Sequence, residues 1–275
     1  MKKFYVILIL ALITGCSEKK EVVKKTNHVR YSIKQDTAPS NQSLDITSLQ
    51  QWEIKPEPKS RYGNHSPYVV FGKTYHLEDA GHEFEQTGTA SWYGKKFHGH
   101  KTSNMETFDM YKLTAAHRTL PLPSYVEVTN LDNNKKVVVR VNDRGPFKSK
   151  RIIDLSWAAA KALDYDTKGL ANVRIKLLQS PGVQFASKPE KQPTRPEDKE
   201  YKYLQVGAFS DKTKALDIAS DLSKLVLLPV YVSDTLAQGP LYRVRIGPLT
   251  EEENIIDIIQ KVQNKGFFNT KMVVD

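Results

Sequence analysis

Between Gly88 and Leu163 the chain gathers side chains able to work on a sugar. Gly-Thr-Ala-Ser-Trp-Tyr-Gly (88–94) offers the flat faces of Trp92 and Tyr93, and Ser103-Asn104-Met105-Glu106 offers a hydroxyl, an amide and a carboxyl. Ala116-His117 adds an imidazole, and Val141-Asn142-Asp143-Arg144-Gly145-Pro146 a second carboxyl beside a guanidinium. Breaking a glycosidic bond needs a proton delivered to the leaving oxygen, usually from a carboxylic acid whose pKa the site has raised. Aromatic faces give a sugar ring something to stack on. Trp, Tyr, His and acidic residues concentrated among strand signals are the chemistry a carbohydrate site needs.

The elements that must hold these groups are short strands. Ser124–Asn130 alternates apolar and polar, Asp132-Asn133-Asn134 reads as a turn, and Lys136–Val141 as the returning strand. On that strand Val139 and Val141 face one side, Val138 and Arg140 the other. It delivers Asn142-Asp143 to its end and stops at Arg144-Gly145-Pro146, where Gly and Pro forbid continuation. Ser156 or Asp154 is placed to cap a short Ala-rich helix, Trp157–Leu163, and Asn172–Leu178 reads as a closing strand. Many short strands with one short helix fit a small β-barrel.

Taken together, the blocks 88–94, 97–99, 101–106, 114–117, 137–146 and 151–156 resemble the double-psi β-barrel domain of rare lipoprotein A, a bacterial peptidoglycan-cleaving family. The resemblance implies a six-stranded barrel and a lytic transglycosylase, in which the sugar's own 6-hydroxyl attacks and forms a 1,6-anhydro ring. One carboxyl then serves as acid and afterwards as base. Asp143 matches the acid of related barrel enzymes, while Glu106, Asp109 and His117 match family residues implicated in the site. Glu106 is the alternative donor, and His117 an orienting or charge-balancing group. Trp92, Tyr93, Ser103, Asn104, Asn142 and Arg144 are carried as substrate contacts. Plainer readings stand beside these: an Asp143–Arg144 ion pair at a turn, a structural His117, a solvated Glu106, a core Trp92. The family pattern has glycine where this chain has Met105, so a positive φ there would alter the loop carrying Glu106. No metal or other cofactor is expected.

The 275 residues have room for two modest domains, and the net charge of +10 favours anionic partners, although many lysines lie in low-complexity segments that they simply keep solvated. Cys16 is the only cysteine, which excludes an intrachain disulfide and a multi-Cys zinc site. Lys2 and Lys3, the apolar run Phe4–Ile13 and Ile13-Thr14-Gly15-Cys16 look like a lipoprotein signal, with Cys16 the lipidated residue. The run is about half the roughly 20 residues of a membrane-spanning helix. Ser17 after the cysteine implies, in a two-membrane bacterium, delivery to the inner leaflet of the outer membrane.

Residues 1–15 are thus read as signal and 16–66 as a flexible tether, whose roughly 50 residues would hold its ends about 40 Å apart. Residues 67–179 are read as the barrel, with core 87–178 and the strand-like Tyr68–Tyr75 as its lead-in. The Pro- and Lys-rich 180–199 is read as a linker, and 200–275 as a second domain. There, strand Tyr201–Phe209, a helix capped by Ser210, strands Val230–Ser233 and Leu241–Gly247, a helix opened by a Thr250-x-x-Glu253 capping box and strand Thr270–Val274 spell βαββαβ. Leu204–Phe209 and Tyr242–Leu249 resemble a SPOR domain, a ferredoxin-like module. That resemblance implies binding to peptidoglycan glycan stripped of stem peptides, at the division septum. The fold class is therefore mainly β plus α+β. Alternation puts Leu204, Val206, Val244 and Ile246 under the helices and leaves Tyr203, Gln205, Arg243 and Arg245 on an uncovered face suited to sugar hydroxyls; a merely solvated face is the plainer reading. An RNA-binding βαββαβ module is opposed by the export signal and the lack of stacking aromatics, so no nucleic-acid partner is expected. The two functions left are a lipid-anchored septal lytic transglycosylase acting on naked glycan and a non-catalytic, expansin-like glycan binder.

Overall fold

The computed structural model describes residues 33, 35–40, 43–79, 83–148, 150–178, 200–235, 241–250 and 254–274. Cys16 and the linker 180–199 lie outside them. In chain order the elements are a 3-10 turn (Ile46–Ser48), β1 (Tyr68–Val70), β2 (Lys73–Tyr75), β3 (Glu85–Tyr93), β4 (Thr114–His117), β5 (Ser124–Asn130), β6 (Lys136–Asp143) and β7 (Ile153–Ser156). They continue with α1 (Trp157–Ala162), β8 (Leu170–Leu178), β9 (Lys202–Phe209), α2 (Lys212–Ser223), β10 (Val230–Thr235), β11 (Leu241–Leu249), α3 (Ile255–Gln263) and β12 (Lys271–Val274).

Six strands close into a barrel in the order β3-β7-β4-β6-β5-β8, with β8 pairing back to β3. Alternation builds its interior: Val126 and Val128 of β5, Val137, Val139 and Val141 of β6, Ile153 and Leu155 of β7 and Val173 and Ile175 of β8 are all buried together. Each such side chain taken out of water contributes roughly 1.5–3 kcal/mol. The β5–β6 hairpin turns through Asn134 at φ 59°, a conformation Asn tolerates. Ser156 caps α1 by accepting from the Ala159 N–H, whereas Asp154 is not a cap.

The second sheet runs β12-β9-β11-β10-β1-β2. Its first four strands, with α2 and α3 against one face, form the ferredoxin-like βαββαβ unit. Helix starts differ slightly from the sequence reading. Asp211, rather than Ser210, caps α2, and Asn254 caps α3; Glu253 of the expected capping box is outside the described residues.

Two larger departures concern the chain before the barrel. The hairpin β1–β2, expected as a barrel lead-in, extends the C-terminal sheet by pairing Tyr68 with Tyr231 and Val69 with Val230. Its alternation explains the choice: Val69 joins the core under α2 and α3, while Tyr68 joins a tyrosine cluster on the opposite face. The supposed tether also does not run free to Ser66. Asp36 accepts from the N–H groups of Gly94 and Lys96, Trp52 Nε1 donates to the Leu113 carbonyl at 2.5 Å, and Asn64 Nδ2 donates to the Leu122 carbonyl at 2.6 Å. A polar composition hid a few anchoring side chains that need the folded barrel as their partner.

Candidate active site

The site lies on the outer face of the barrel, where β3, β7, β4 and β6 run side by side. β4 pairs with β6 through Thr114–Arg140 and Ala115–Val141, then jumps to Ala116–Asp143. Asn142 is the extra residue. Plain alternation from core-facing Val141 would send Asp143 inward as well; the bulge re-aims it onto the same face as Arg140. Ala116 also pairs with Asp154, and Asp154 with Ser91. Because directly paired residues point the same way, Ser91, Asp154, Ala116 and Asp143 form one row. Two carboxyls thus flank a methyl group, their backbones two strand spacings, or roughly 10 Å, apart.

The two carboxyls are held differently. Asp143 Oδ1 accepts from the Ser103 N–H at 2.8 Å, the Ser103 hydroxyl at 2.6 Å and the Arg144 N–H at 2.7 Å. That is the arrangement of an oxygen acting as acceptor rather than offering a proton. Asp154 Oδ1 accepts from the Ser91 hydroxyl at 2.7 Å and lies 3.0 Å from Arg151 NH1. Burial raises the Asp154 carboxyl above its ordinary value; Ser91, Arg151 and Arg118 counter this, and the charge of Asp143 adds to the rise. Divergent settings of two neighbouring carboxyls are how acid and anion roles are separated.

Glu106 takes both oxygens to Arg140 NH1, at 2.9 and 2.7 Å, and accepts from Asn142 Nδ2 at 2.9 Å. Burial would raise its carboxyl, but the hydrogen bonds and charge of Arg140, together with Asn142 and Asn104, hold it below the usual range. An anion so held is a poor proton donor, which turns the expectation for Glu106 from acid to fixed negative charge. Met105 sits at φ +68°, the left-handed region where a glycine would be unstrained. The turn is nonetheless closed: Thr102 N–H donates to the Glu106 carbonyl at 2.9 Å, and the Thr102 hydroxyl to Asn104 Oδ1 at 2.7 Å.

His117 is 2% exposed, and its Nδ1 accepts from the Thr119 and Leu120 N–H groups at 3.2 and 3.1 Å. Burial, helped by the charges of Arg144 and Arg118, lowers its pKa to about 3. The imidazole is therefore neutral, with its proton on Nε2 toward Gln86 Oε1 at 3.5 Å. It shapes the turn after β4 instead of balancing a carboxylate. Arg144 is 6% exposed, so its guanidinium is turned away from a substrate. Its guanidinium donates to the carbonyls of Gly63, His117 and Leu120 and to Asn64 Oδ1. Asn104 and Asn142, also buried, brace Glu106. Tyr93 is covered by Phe108, stacked at 4.1 Å, which removes it as a sugar platform; half-buried Trp92 donates to the Asp166 carbonyl at 3.0 Å. Asp109 accepts from the Tyr111 N–H at 3.0 Å, with His98 Nδ1 3.6 Å away.

The family of barrels described as lytic transglycolase matches residues 85–175, and the SPOR domain matches residues 199–273. A relative from Vibrio cholerae, the endolytic peptidoglycan transglycosylase RlpA, is 38% identical over 269 residues, covering 97% of this chain and 95% of its own. The chain belongs to the RlpA family. The RlpA of Helicobacter pylori strain 26695 is 37% identical over 255 residues, which span 84% of this chain and 76% of that one. The solved RlpA SPOR domain of Pseudomonas aeruginosa is 29% identical with a TM-score of 0.25, and covers 26% of this chain and 96% of that one.

In this RlpA-family chain the residue that sequence reasoning missed is Asp154. Its signal was present: a lone acid between Ile153 and Leu155, both core residues, must face outward from the barrel. What could not be read was that Ser91 and Asp143 share its row. The SPOR face also differs from expectation. Tyr203 is 1% exposed, packed with Tyr62, Tyr68, Tyr75 and Tyr231, while Gln205, Arg243 and Arg245 are half-buried. Phe147, just past the Asp143 loop, packs on Tyr68 and Tyr75, and the Arg144 guanidinium lies 5.9 Å from the Tyr68 ring centre. The sheet face is therefore covered by the barrel's own loops at its tyrosine end.

Proposed function

We propose that the protein is an endolytic lytic transglycosylase that cuts peptidoglycan glycan, with Asp154 as the proton carrier and Asp143 as its anionic partner. The pair of differently held carboxyls on one barrel row carries this reading, which moves the donor from Asp143, the residue the resemblance favours, to Asp154. A protonated Asp154 donates to the glycosidic oxygen as the C1–O bond breaks. Asp143 stabilises the positive charge growing on the sugar ring. The 6-hydroxyl of that same sugar attacks C1 and returns its proton to Asp154, so no water is consumed and the product ends in a 1,6-anhydro ring. Glu106, fixed by Arg140 and Asn142, contributes field and shape.

The SPOR match supports the finer reading of naked strands preferred and action at the septum in daughter-cell separation, and the Ile13-Thr14-Gly15-Cys16 ending followed by Ser17 supports anchoring through lipid on Cys16, facing the periplasm from the outer membrane. The experiment is digestion of stem-peptide-free glycan with mass analysis of the fragments. Anhydro ends are expected. Reducing ends would mean a hydrolase, and intact strands an expansin-like binder. Asp154→Asn should still bind glycan but cleave it about a hundred- to ten-thousand-fold more slowly; near-normal cleavage would return the donor's role to Asp143. Fatty-acid labelling, lost in Cys16→Ala, checks the anchor.

A further inference from the structure

Arg140 connects the site to a segment outside the barrel. It is an arginine on a strand whose neighbours Val139 and Val141 fill the core, and its own side chain is only 7% exposed on the other face. A guanidinium buried there needs partners, and the chain before the barrel supplies them. Glu57 meets it fork to fork, with Nε to Oε1 and NH2 to Oε2 both at 2.8 Å. The Tyr125 hydroxyl donates to the same Oε1, and the Trp52 ring lies 5.6 Å from the guanidinium carbon. One edge and one face of the planar group are thus held from residues 52–57. The remaining nitrogen, NH1, is left facing both oxygens of Glu106.

We propose that Glu57 is a positioning residue for the cleavage reaction, acting through Arg140 and Glu106 on the bulged end of β6. Each link is a hydrogen bond: Glu57 to Arg140, Arg140 to Glu106, and Glu106 to Asn142, the extra residue whose insertion aims Asp143. Asn142 is tied a second time, its carbonyl accepting from the Asn104 N–H at 3.4 Å. Glu106 is the more exposed partner of Arg140, at 36% against 11% for Glu57. An arginine held by Glu106 alone would follow that more exposed carboxylate; held by Glu57, it anchors it. The bidentate geometry is what matters, since two parallel bonds fix an orientation that a single bond does not. The segment taken from its composition as a tether therefore ends as part of the site's scaffold.

The inference rests on the transglycosylase reading, and its test separates the two. In the full chain acting on naked glycan, Glu57→Gln keeps the shape but removes the charge and one arm of the fork. It should lower kcat about tenfold and leave KM within about twofold, because misplacing reacting groups costs rate more than binding. Glu57→Gln with Arg140→Gln should be no slower than Arg140→Gln alone, as residues on one relay are not additive. A merely structural brace would lower the melting temperature and leave kcat at temperatures well below melting unchanged; that outcome overturns the proposal, as does a double variant whose losses multiply. Should Glu57→Gln not fold, Tyr125→Phe, which removes only the hydroxyl on Glu57, must still lower kcat in folded protein, and full turnover there also overturns it. Wild-type protein that leaves glycan intact rejects the transglycosylase reading and this inference together; wild-type cleavage with an unimpaired Glu57→Gln rejects this inference alone.

Discussion

The proposed acid, Asp154, is set by competition at one carboxyl. Burial and the neighbouring Asp143 push Asp154 toward its protonated form, while Ser91, Arg151 and Arg118 pull it back. A general acid works only while protonated, so activity must fall as pH rises through its pKa. Arg151 opposes the rise, and removing its charge lifts the pKa further. Arg151→Gln should therefore shift the descending limb of the kcat/KM profile to higher pH, and an unmoved limb would separate Asp154 from proton delivery. The sign is specific, because losing a substrate-binding arginine would lower the whole profile without displacing it.

Among the elements, the loop 101–108 and the bulge of β6 do the positioning. The loop delivers Ser103 to Asp143 and Glu106 to Arg140, and it does so through a methionine in the left-handed region. A side chain there costs on the order of 1 kcal/mol. Met105 also packs beside the tyrosine cluster, so its replacement removes contacts as well as strain. Comparing Met105→Gly with Met105→Ala isolates the backbone term: the glycine variant should be more stable by roughly 1 kcal/mol in urea unfolding. Equal stability would mean that the loop relaxes when the side chain is shortened.

At the level of the molecule, the barrel and the SPOR unit share structure. β1 and β2 enter the C-terminal sheet from the chain preceding the barrel, and Tyr62, Tyr68, Tyr75, Tyr203 and Tyr231 close the join beside Arg144. The two units should therefore unfold together. Tyr231→Ala empties the middle of that cluster, at a cost of about 3–5 kcal/mol by analogy with buried aromatic truncations. Calorimetry should show one transition in the wild type and two in this variant, and two transitions already in the wild type would show the units to be energetically independent. Tyr203→Ala should likewise weaken the join, so lost glycan binding in that variant would report undocking as well as a missing contact.

Local pattern decided a great deal without help. The alternation of Val137, Val139 and Val141, the turn at Asn134, the Ser156 cap and the βαββαβ order are each written in a few neighbouring residues, because strand pleat, turn geometry and capping are short-range effects. The conformational demand at Met105, by contrast, was raised only by the resemblance, whose pattern has glycine there, and the structure places that residue at φ +68°. The site was legible only as a stretch. Which face Asp143 takes depends on one extra residue in the pairing with β4, and pairing is a property of two strands. Asp154 gains its raised pKa from burial and from Asp143, and His117 loses its charge to burial and two arginines; none of these exists before the chain folds. Glu57 and Trp52 look like solvated punctuation in a polar run, and their partners, Arg140 and Leu113, lie far along the chain. Short-range chemistry determined the elements, and long-range contact decided which of their side chains meet.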